Sequence, residues 1–202
     1  MTDPLPPTPE GIERACELLR EGAVVAFPTD TVYGVGVAAS HPGRIEALFA
    51  LKARPPDRRI PLLVASLSQA VESGWSADAR AHRLVDAFWP GALTIVLASE
   101  KGAETQAFRA PDHPVALALI RAAGPIYATS ANVSDEPDTL GADEVLIAFA
   151  TRQDELAAVV DGGAVPGGVA STVIDLSSEP ARLLREGPIT RDQLAAVVTL
   201  EG

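Results

Sequence analysis

Four stretches of the 202-residue chain bring together side chains able to do chemistry. The first is Phe27-Pro28-Thr29-Asp30-Thr31-Val32-Tyr33-Gly34, a polar turn leaving an apolar run. Thr hydroxyls donate and accept, and Tyr33 adds a phenol. Such a turn at a strand end suits small-molecule binding; it suits a capped turn equally well. The second is Lys52-Ala53-Arg54-Pro55-Pro56-Asp57-Arg58-Arg59, where four of the 16 basic residues fall within eight positions. Arg grips phosphate or carboxylate as a fork and Lys acts as a point charge. Two prolines would limit the ordering cost on binding. The alternative is a solvated helix end, where cations favour the C-terminal dipole. The third is Thr129-Ser130-Ala131-Asn132, whose small side chains would let a ligand reach the backbone, or cap a helix. The fourth is the glycine-rich Gly162-Gly163 and Gly167-Gly168 with Ser171-Thr172 and Arg185-Glu186-Gly187. Here Arg185 could reach a phosphate, though turn chemistry alone explains the glycines. Arg109 is a further anion contact or a surface charge, and His113, beside Pro114, reads as a cap or surface residue.

Absent motifs narrow the choice. Neither a Gly-x-x-x-x-Gly-Lys-Ser/Thr loop nor a Gly-x-Gly-x-x-Gly stands in the chain, so a bound nucleotide would use another cradle. There is no Gly-x-Ser-x-Gly, and Cys16 falls in an expected helix with no base nearby, so covalent catalysis has no support. A single cysteine excludes an internal disulfide framework, and His41, His82 and His113 lie too far apart to suggest a metal site. With 27 acidic against 16 basic residues the net charge is −11, which argues against a surface coated for nucleic acid. Of those 16, only Lys52 and Lys101 are lysines; an Arg-rich, Ala-rich composition that keeps a lysine at 52 points to a need for it there. The polar, proline-rich start has no apolar core of a signal peptide, and no run is long enough to span a membrane. A reducing cytoplasm is the expected home.

These stretches need elements to hold them. Apolar spacing predicts helices over Glu10–Arg20, Pro42–Arg54, Leu67–Gly74 (capped by Ser66 or Ser68), Ala77–Phe88, His113–Ala123, Gly141–Ala150 and Thr190–Val198. Short apolar runs predict strands over Ala23–Phe27, Val32–Ala39, Pro61–Ala65, Ala92–Ala98, Ala107–Arg109, Pro125–Ala128, Val159–Val160, Ser171–Leu176 and Arg182–Glu186. Helices alternating with isolated strands predict an α/β fold: one domain over 10–202, a twisted mixed parallel and antiparallel sheet with flanking helices, and a proline-rich tail over 1–9.

Seven segments, in order, resemble the YrdC-like family, the L-threonylcarbamoyladenylate synthases. They are Pro28-Thr29-Asp30-Thr31-Val32-Tyr33-Gly34; Lys52-x-Arg54-Pro55 with Asp57-Arg58; Phe88-Trp89-Pro90-Gly91 with Leu93-Thr94; Arg109-x-Pro111-Asp112-His113-Pro114; Thr129-Ser130-Ala131-Asn132; Ser171-Thr172-Val173-Ile174-Asp175; and Leu184-Arg185-Glu186-Gly187. The length resembles that of single-domain members, without room for the further C-terminal domain some relatives carry. The resemblance implies a concave, locally positive groove in which L-threonine, bicarbonate or CO2, and ATP condense to threonylcarbamoyl-AMP and pyrophosphate. A partner transferase would then complete N6-threonylcarbamoyladenosine on tRNA. By position, Thr31, Arg109 and Ser171 would hold threonine. Lys52, Arg54, Arg58, Ser130, Asn132 and Arg185 would hold ATP, with Lys52 and Arg54 as the catalytic cations and Mg2+ on the pyrophosphate. The alternatives are an RNA-binding or ribosome-maturation protein using the same groove, and a nucleotide-binding paralogue without synthase activity. The chain departs from the family at Ser134-Asp135-Glu136-Pro137-Asp138-Thr139-Leu140, where acids would repel phosphate unless Mg2+ intervenes or the loop turns away. It departs again at Ala107-Phe108-Arg109, where a bulky ring precedes the arginine.

Overall fold

A computed structural model describes residues 4–53, 60–102, 104–134 and 136–202. In chain order the elements are α1 (Pro9–Arg20), β1 (Val25–Pro28), β2 (Tyr33–Ala38), α2 (Ile45–Lys52), β3 (Leu62–Leu63), α3 (Leu67–Glu72), α4 (Ala79–Phe88) and β4 (Leu93–Ala98). They continue with β5 (Thr105–Arg109), α5 (Pro114–Ala123), β6 (Ile126–Ser130), α6 (Ala142–Ala148), β7 (Ala158–Val159), β8 (Thr172–Asp175), β9 (Arg182–Arg185) and α7 (Arg191–Ala195). The fold is α/β with mixed pairing and flanking helices, as expected. The chain divides into two compact units, Met1–Ile60 with His113–Gly168, and Pro61–Asp112 with Val169–Gly202.

In the first unit β7 runs parallel to β1, β1 antiparallel to β2, and β2 antiparallel to β6. Strands β1 and β2 are buried along their whole length, which is why their sequences read as continuous apolar runs rather than alternating ones. Gly36 is required by the approach of β6: a Cβ there would lie 2.6 Å from Ile126 Cγ2 and 2.7 Å from the Tyr127 carbonyl oxygen. Val35, Val37, Leu48, Leu51, Val145, Phe149 and Val159 fill the core against this sheet, each burial contributing about 1.5–3 kcal/mol. Helix α1 starts where Thr8 Oγ1 accepts from Gly11 N (3.3 Å) ahead of Pro9, and buries Ala15, Cys16 and Leu19. Helix α5 starts at His113, whose Nδ1 accepts from Val115 N (3.3 Å); the capping reading of this histidine holds.

In the second unit β3 is parallel to β5, β5 antiparallel to β4, β4 parallel to β8, and β8 antiparallel to β9. Phe108 of β5 is fully buried and meets Trp75 edge to face, with ring centroids 5.7 Å apart. The ring expected to crowd Arg109 is therefore core, as alternation along a strand allows.

Some expectations shift. Leu5 was placed in a tail, yet its N–H bonds the Val159 carbonyl and its carbonyl accepts from Asp161 N, both at 2.8 Å. Ser66 stands at the cap of α3 without making the cap bond; Gln69 Oε1 instead accepts from Ala65 N at 2.7 Å. Strand β6 does not stop at Ala128: Thr129 and Ser130 pair with Val35 and Gly34, because the fully buried β2 offers its ladder that far. At the far end, α7 stops at Ala195, short of the expected Val198, with Thr190 and Gln193 forming a reciprocal cap.

Candidate functional site

Burial of polar side chains without a compensating bond costs free energy, so the buried polar residues of a fold are its most constrained. Among the described residues they are Thr29, Thr31, Lys52, Thr94, Arg109, Asn132, Thr139, Ser171 and Thr172. All but Thr139, which falls in the departing 134–140 stretch, lie in the segments singled out by chemistry or by resemblance.

Lys52 is the last residue of α2 and only 2% exposed. The helix stops because Ala53 turns left-handed (φ 50°, ψ 39°). The Lys52 ammonium reaches the end of β6. It donates to the Ser130 carbonyl oxygen, to the Asn132 carbonyl oxygen at 2.6 Å and to Asn132 Oδ1 at 2.9 Å. Ser130 Oγ also donates to Asn132 Oδ1 (2.6 Å), and Asn132 Nδ2 donates to the Glu136 carbonyl oxygen (2.6 Å). Ser134 N closes the turn on the Lys52 carbonyl oxygen (2.9 Å). Lys52, Ser130 and Asn132 thus come together as the sequence suggested. The ammonium bonds backbone and side-chain oxygens of both Ser130 and Asn132, so Lys52 organises the backbone around them. Arg54 and Arg58 lie outside the described residues.

The Thr29–Thr31 turn belongs to the same unit. Thr29 Oγ1 donates to the Val32 carbonyl oxygen (2.7 Å) and accepts from Thr31 N (3.2 Å). With its one proton used there, the 3.1 Å contact between the two hydroxyls has Thr31 as donor. Tyr33 follows, fully buried. Its hydroxyl donates to the Gly163 carbonyl oxygen (2.8 Å) and accepts from Gly162 N (3.2 Å). Burial, foremost, pushes this phenol above its usual pKa; the Gly162 N–H works against that and the Asp161 carboxylate adds to it.

In the second unit Arg109 is buried, with Nε donating to the Gly91 carbonyl oxygen at 3.0 Å. Its own carbonyl accepts from Val64 N (2.9 Å), and Gly91 N bonds the Ala110 carbonyl (2.8 Å). The Phe88-Trp89-Pro90-Gly91 motif thereby gains a role the residues alone did not suggest: it holds Arg109. Trp89 Nε1 fixes the same turn through the Leu93 carbonyl oxygen (2.8 Å). Ser171 Oγ pairs with Thr94 Oγ1 at 2.8 Å, both buried. Arg185 donates to the Ser171 carbonyl oxygen through Nε (3.0 Å) and Nη2 (2.9 Å). Ser171 and Arg185 are thus neighbours. Thr94 and Thr172 stand in stretches the sequence singled out but were given no role of their own there. The Thr172 hydroxyl donates to the Ile189 carbonyl oxygen (2.7 Å) and accepts from Gly187 N (2.9 Å) and Ile189 N (3.0 Å).

The acidic departure resolves in part. Glu136 and Asp138 are exposed, while the Glu136 backbone serves Asn132; Asp135 is outside the described residues. Among the described residues no three His, Cys, Asp or Glu side chains gather as a metal site needs. Burial raises the Cys16 thiol pKa, making it a poor nucleophile. No helix of the described residues is long and apolar enough to cross a membrane.

The family model Sua5_yciO_yrdC, described as telomere recombination, matches residues 17–187, across both units. A threonylcarbamoyl-AMP synthase of Bacillus subtilis is 41% identical over 98% of this chain and 59% of its own length. One of Pyrococcus abyssi is 37% identical over 93% of this chain and 57% of its own. The crystal structure of P. abyssi Sua5 complexed with L-threonine superposes with a TM-score of 0.84 at 34% identity, covering 95% of this chain and 59% of that one. The chain thus spans somewhat under two thirds of these relatives. With the family model running from Glu17 to Gly187 and both turns of the first unit built from its motif residues, the chain belongs to the Sua5/YciO/YrdC family.

Proposed function

We propose that this protein makes threonylcarbamoyl-AMP from L-threonine, bicarbonate or CO2, and ATP. The observation that carries this reading is the 41% identity to a named synthase over 98% of the chain. The chemistry needs no covalent nucleophile. The threonine amine loses a proton and takes up CO2, giving a carbamate. A carbamate oxygen attacks the α-phosphorus, the bond to the β-phosphate oxygen breaks, and pyrophosphate leaves; Mg2+ bound to the phosphates would offset the charge on that leaving group.

By the resemblance, Thr31 holds the amino acid, and Arg109 and Ser171 are further candidates for it. Ser130 and Asn132 take the nucleotide on the turn that Lys52 shapes. Lys52, Arg54, Arg58 and Arg185 supply the positive charge that the developing phosphate charge requires; a lost clamp of this kind costs about 3 kcal/mol, roughly a hundredfold in rate. The product then passes to a threonylcarbamoyl transferase acting on tRNA, in the cytoplasm.

The test is pyrophosphate release by the purified chain with ATP, bicarbonate and Mg2+. Release that depends on L-threonine is expected. Release without threonine, or none at all, refutes the synthase reading and leaves a nucleotide-binding paralogue; salt-sensitive RNA binding in its place would favour an RNA-directed role.

A further inference from the structure

We propose that Tyr33 is a positioning residue that straps the 161–168 segment onto the Thr31 turn and so sets the affinity for the amino acid. This rests on the synthase reading for the identity of the ligand, and on geometry alone for the strap.

Tyr33 is where three pieces of the first unit meet. Its backbone N–H donates to the Thr139 carbonyl oxygen (2.9 Å), and its carbonyl accepts from Ala131 N (2.7 Å). These two bonds tie it to the Ser130–Asn132 turn, to which Thr139 also returns through its hydroxyl on the Ala131 carbonyl oxygen (2.9 Å). The side chain runs the other way: the phenol bonds Gly163 and Gly162. The segment is fastened again by Val165 N on the Leu140 carbonyl oxygen (2.9 Å) and by Gly167 N on the Thr31 carbonyl oxygen (3.0 Å). Two positions permit this path and little else. Gly162 lies so close to Pro28 that a Cβ would meet its Cγ at 2.6 Å, and Gly167 has φ +71°.

The two ends of the strap differ in what they can lose. Val165 is in the core, whereas Gly163 is exposed and Gly162 half-buried. Without the phenol hydroxyl, water can satisfy Gly162 and Gly163, so the fold loses little. The strap loses its fixed path into Gly167, and with it the clamp on the Thr31 backbone. The phenol acts through Thr31 and touches no reacting atom.

Tyr33→Phe removes one oxygen and keeps the ring. Threonine KM should rise about tenfold, the loss expected for one neutral hydrogen bond, with kcat and ATP KM within about twofold. Amide exchange at Gly162, Gly163 and Gly167 should quicken by a similar factor, while that of Val35 and Val37 in β2 stays unchanged. Unchanged exchange at these glycines overturns the strap. Faster exchange with unchanged threonine KM overturns its link to the amino acid. A variant that fails to fold overturns the proposal too, since the hydroxyl would then serve the core. If the parent protein shows no threonine-dependent pyrophosphate release, the synthase reading fails by itself, and the exchange experiment still decides the strap.

Discussion

Replacing Lys52 by methionine separates two roles that a buried cation at a substrate turn could have. Methionine keeps most of the apolar stem and removes the three N–H donors. Two backbone carbonyls, of Ser130 and Asn132, then lose their partner, while Asn132 Oδ1 retains the Ser130 hydroxyl. Each unsatisfied buried acceptor costs about 1–3 kcal/mol. Asn132 is 7% exposed, so water reaches its carbonyl poorly, while half-buried Ser130 is better served, and a loss of about 3 kcal/mol is expected. At about 2–4 °C per kcal/mol for a chain of this size, the thermal midpoint should fall by roughly 6–12 °C. Activity, measured as threonine-dependent pyrophosphate release well below that midpoint, should fall at least a hundredfold, because the Ser130–Asn132 turn is no longer held. The informative result is the pairing of the two numbers. A Lys52→Met protein as stable as its parent, within about 1 kcal/mol, would mean that the ammonium does not hold the turn, and the reasoning from its hydrogen bonds would be wrong even if activity were lost with its charge.

Three further outcomes follow from the same geometry. Thr94→Val deletes the nearer of two partners of the Ser171 hydroxyl and should cost about 1 kcal/mol in urea unfolding while raising threonine KM; an unchanged KM would detach Ser171 from the amino acid. Gly187→Ala should be more costly, about 2 kcal/mol or more, because the new Cβ would stand 2.7 Å from Thr172 N and 2.9 Å from the Ser171 carbonyl carbon; a midpoint within a degree of the parent's would contradict this packing. Tyr33, with its folded-state pKa raised above the ordinary value of about 10, contributes stability that is complete below that pH and is lost as pH rises through the higher folded value; urea midpoints between pH 8 and 11 should fall more steeply for the parent than for Tyr33→Phe.

What could be read in the sequence was local. The helix caps at Thr190 and His113, the end of α2 beyond Lys52 and the apolar strands follow from neighbours a few positions apart. Lys52 stood out by composition, one of two lysines in an arginine-rich chain. Its direction did not, since the oxygens it meets are 78 and 80 residues away. Tyr33 read as a phenol in a polar turn, and the phenol's partners are 129 and 130 residues on. Thr94 passed unremarked as a candidate because nothing near it marks the serine 77 positions later. Thr129 and Ser130 read as a turn because they are small and polar, yet pairing with β2 overrode that local preference. The site was visible as a set of segments and hidden as a set of bonds.

The lysine knot also constrains how this chain can change. One ammonium joins the end of α2 to the end of β6, and it shares the acceptor Asn132 Oδ1 with the Ser130 hydroxyl. Loss of any one of the three leaves the other two mispaired, so a second loss removes an interaction already broken. Substitutions at 52, 130 and 132 are therefore epistatic: their effects combine to less than their sum. Drift at these positions must pass through a defective intermediate, and the three residues behave in inheritance as a single character.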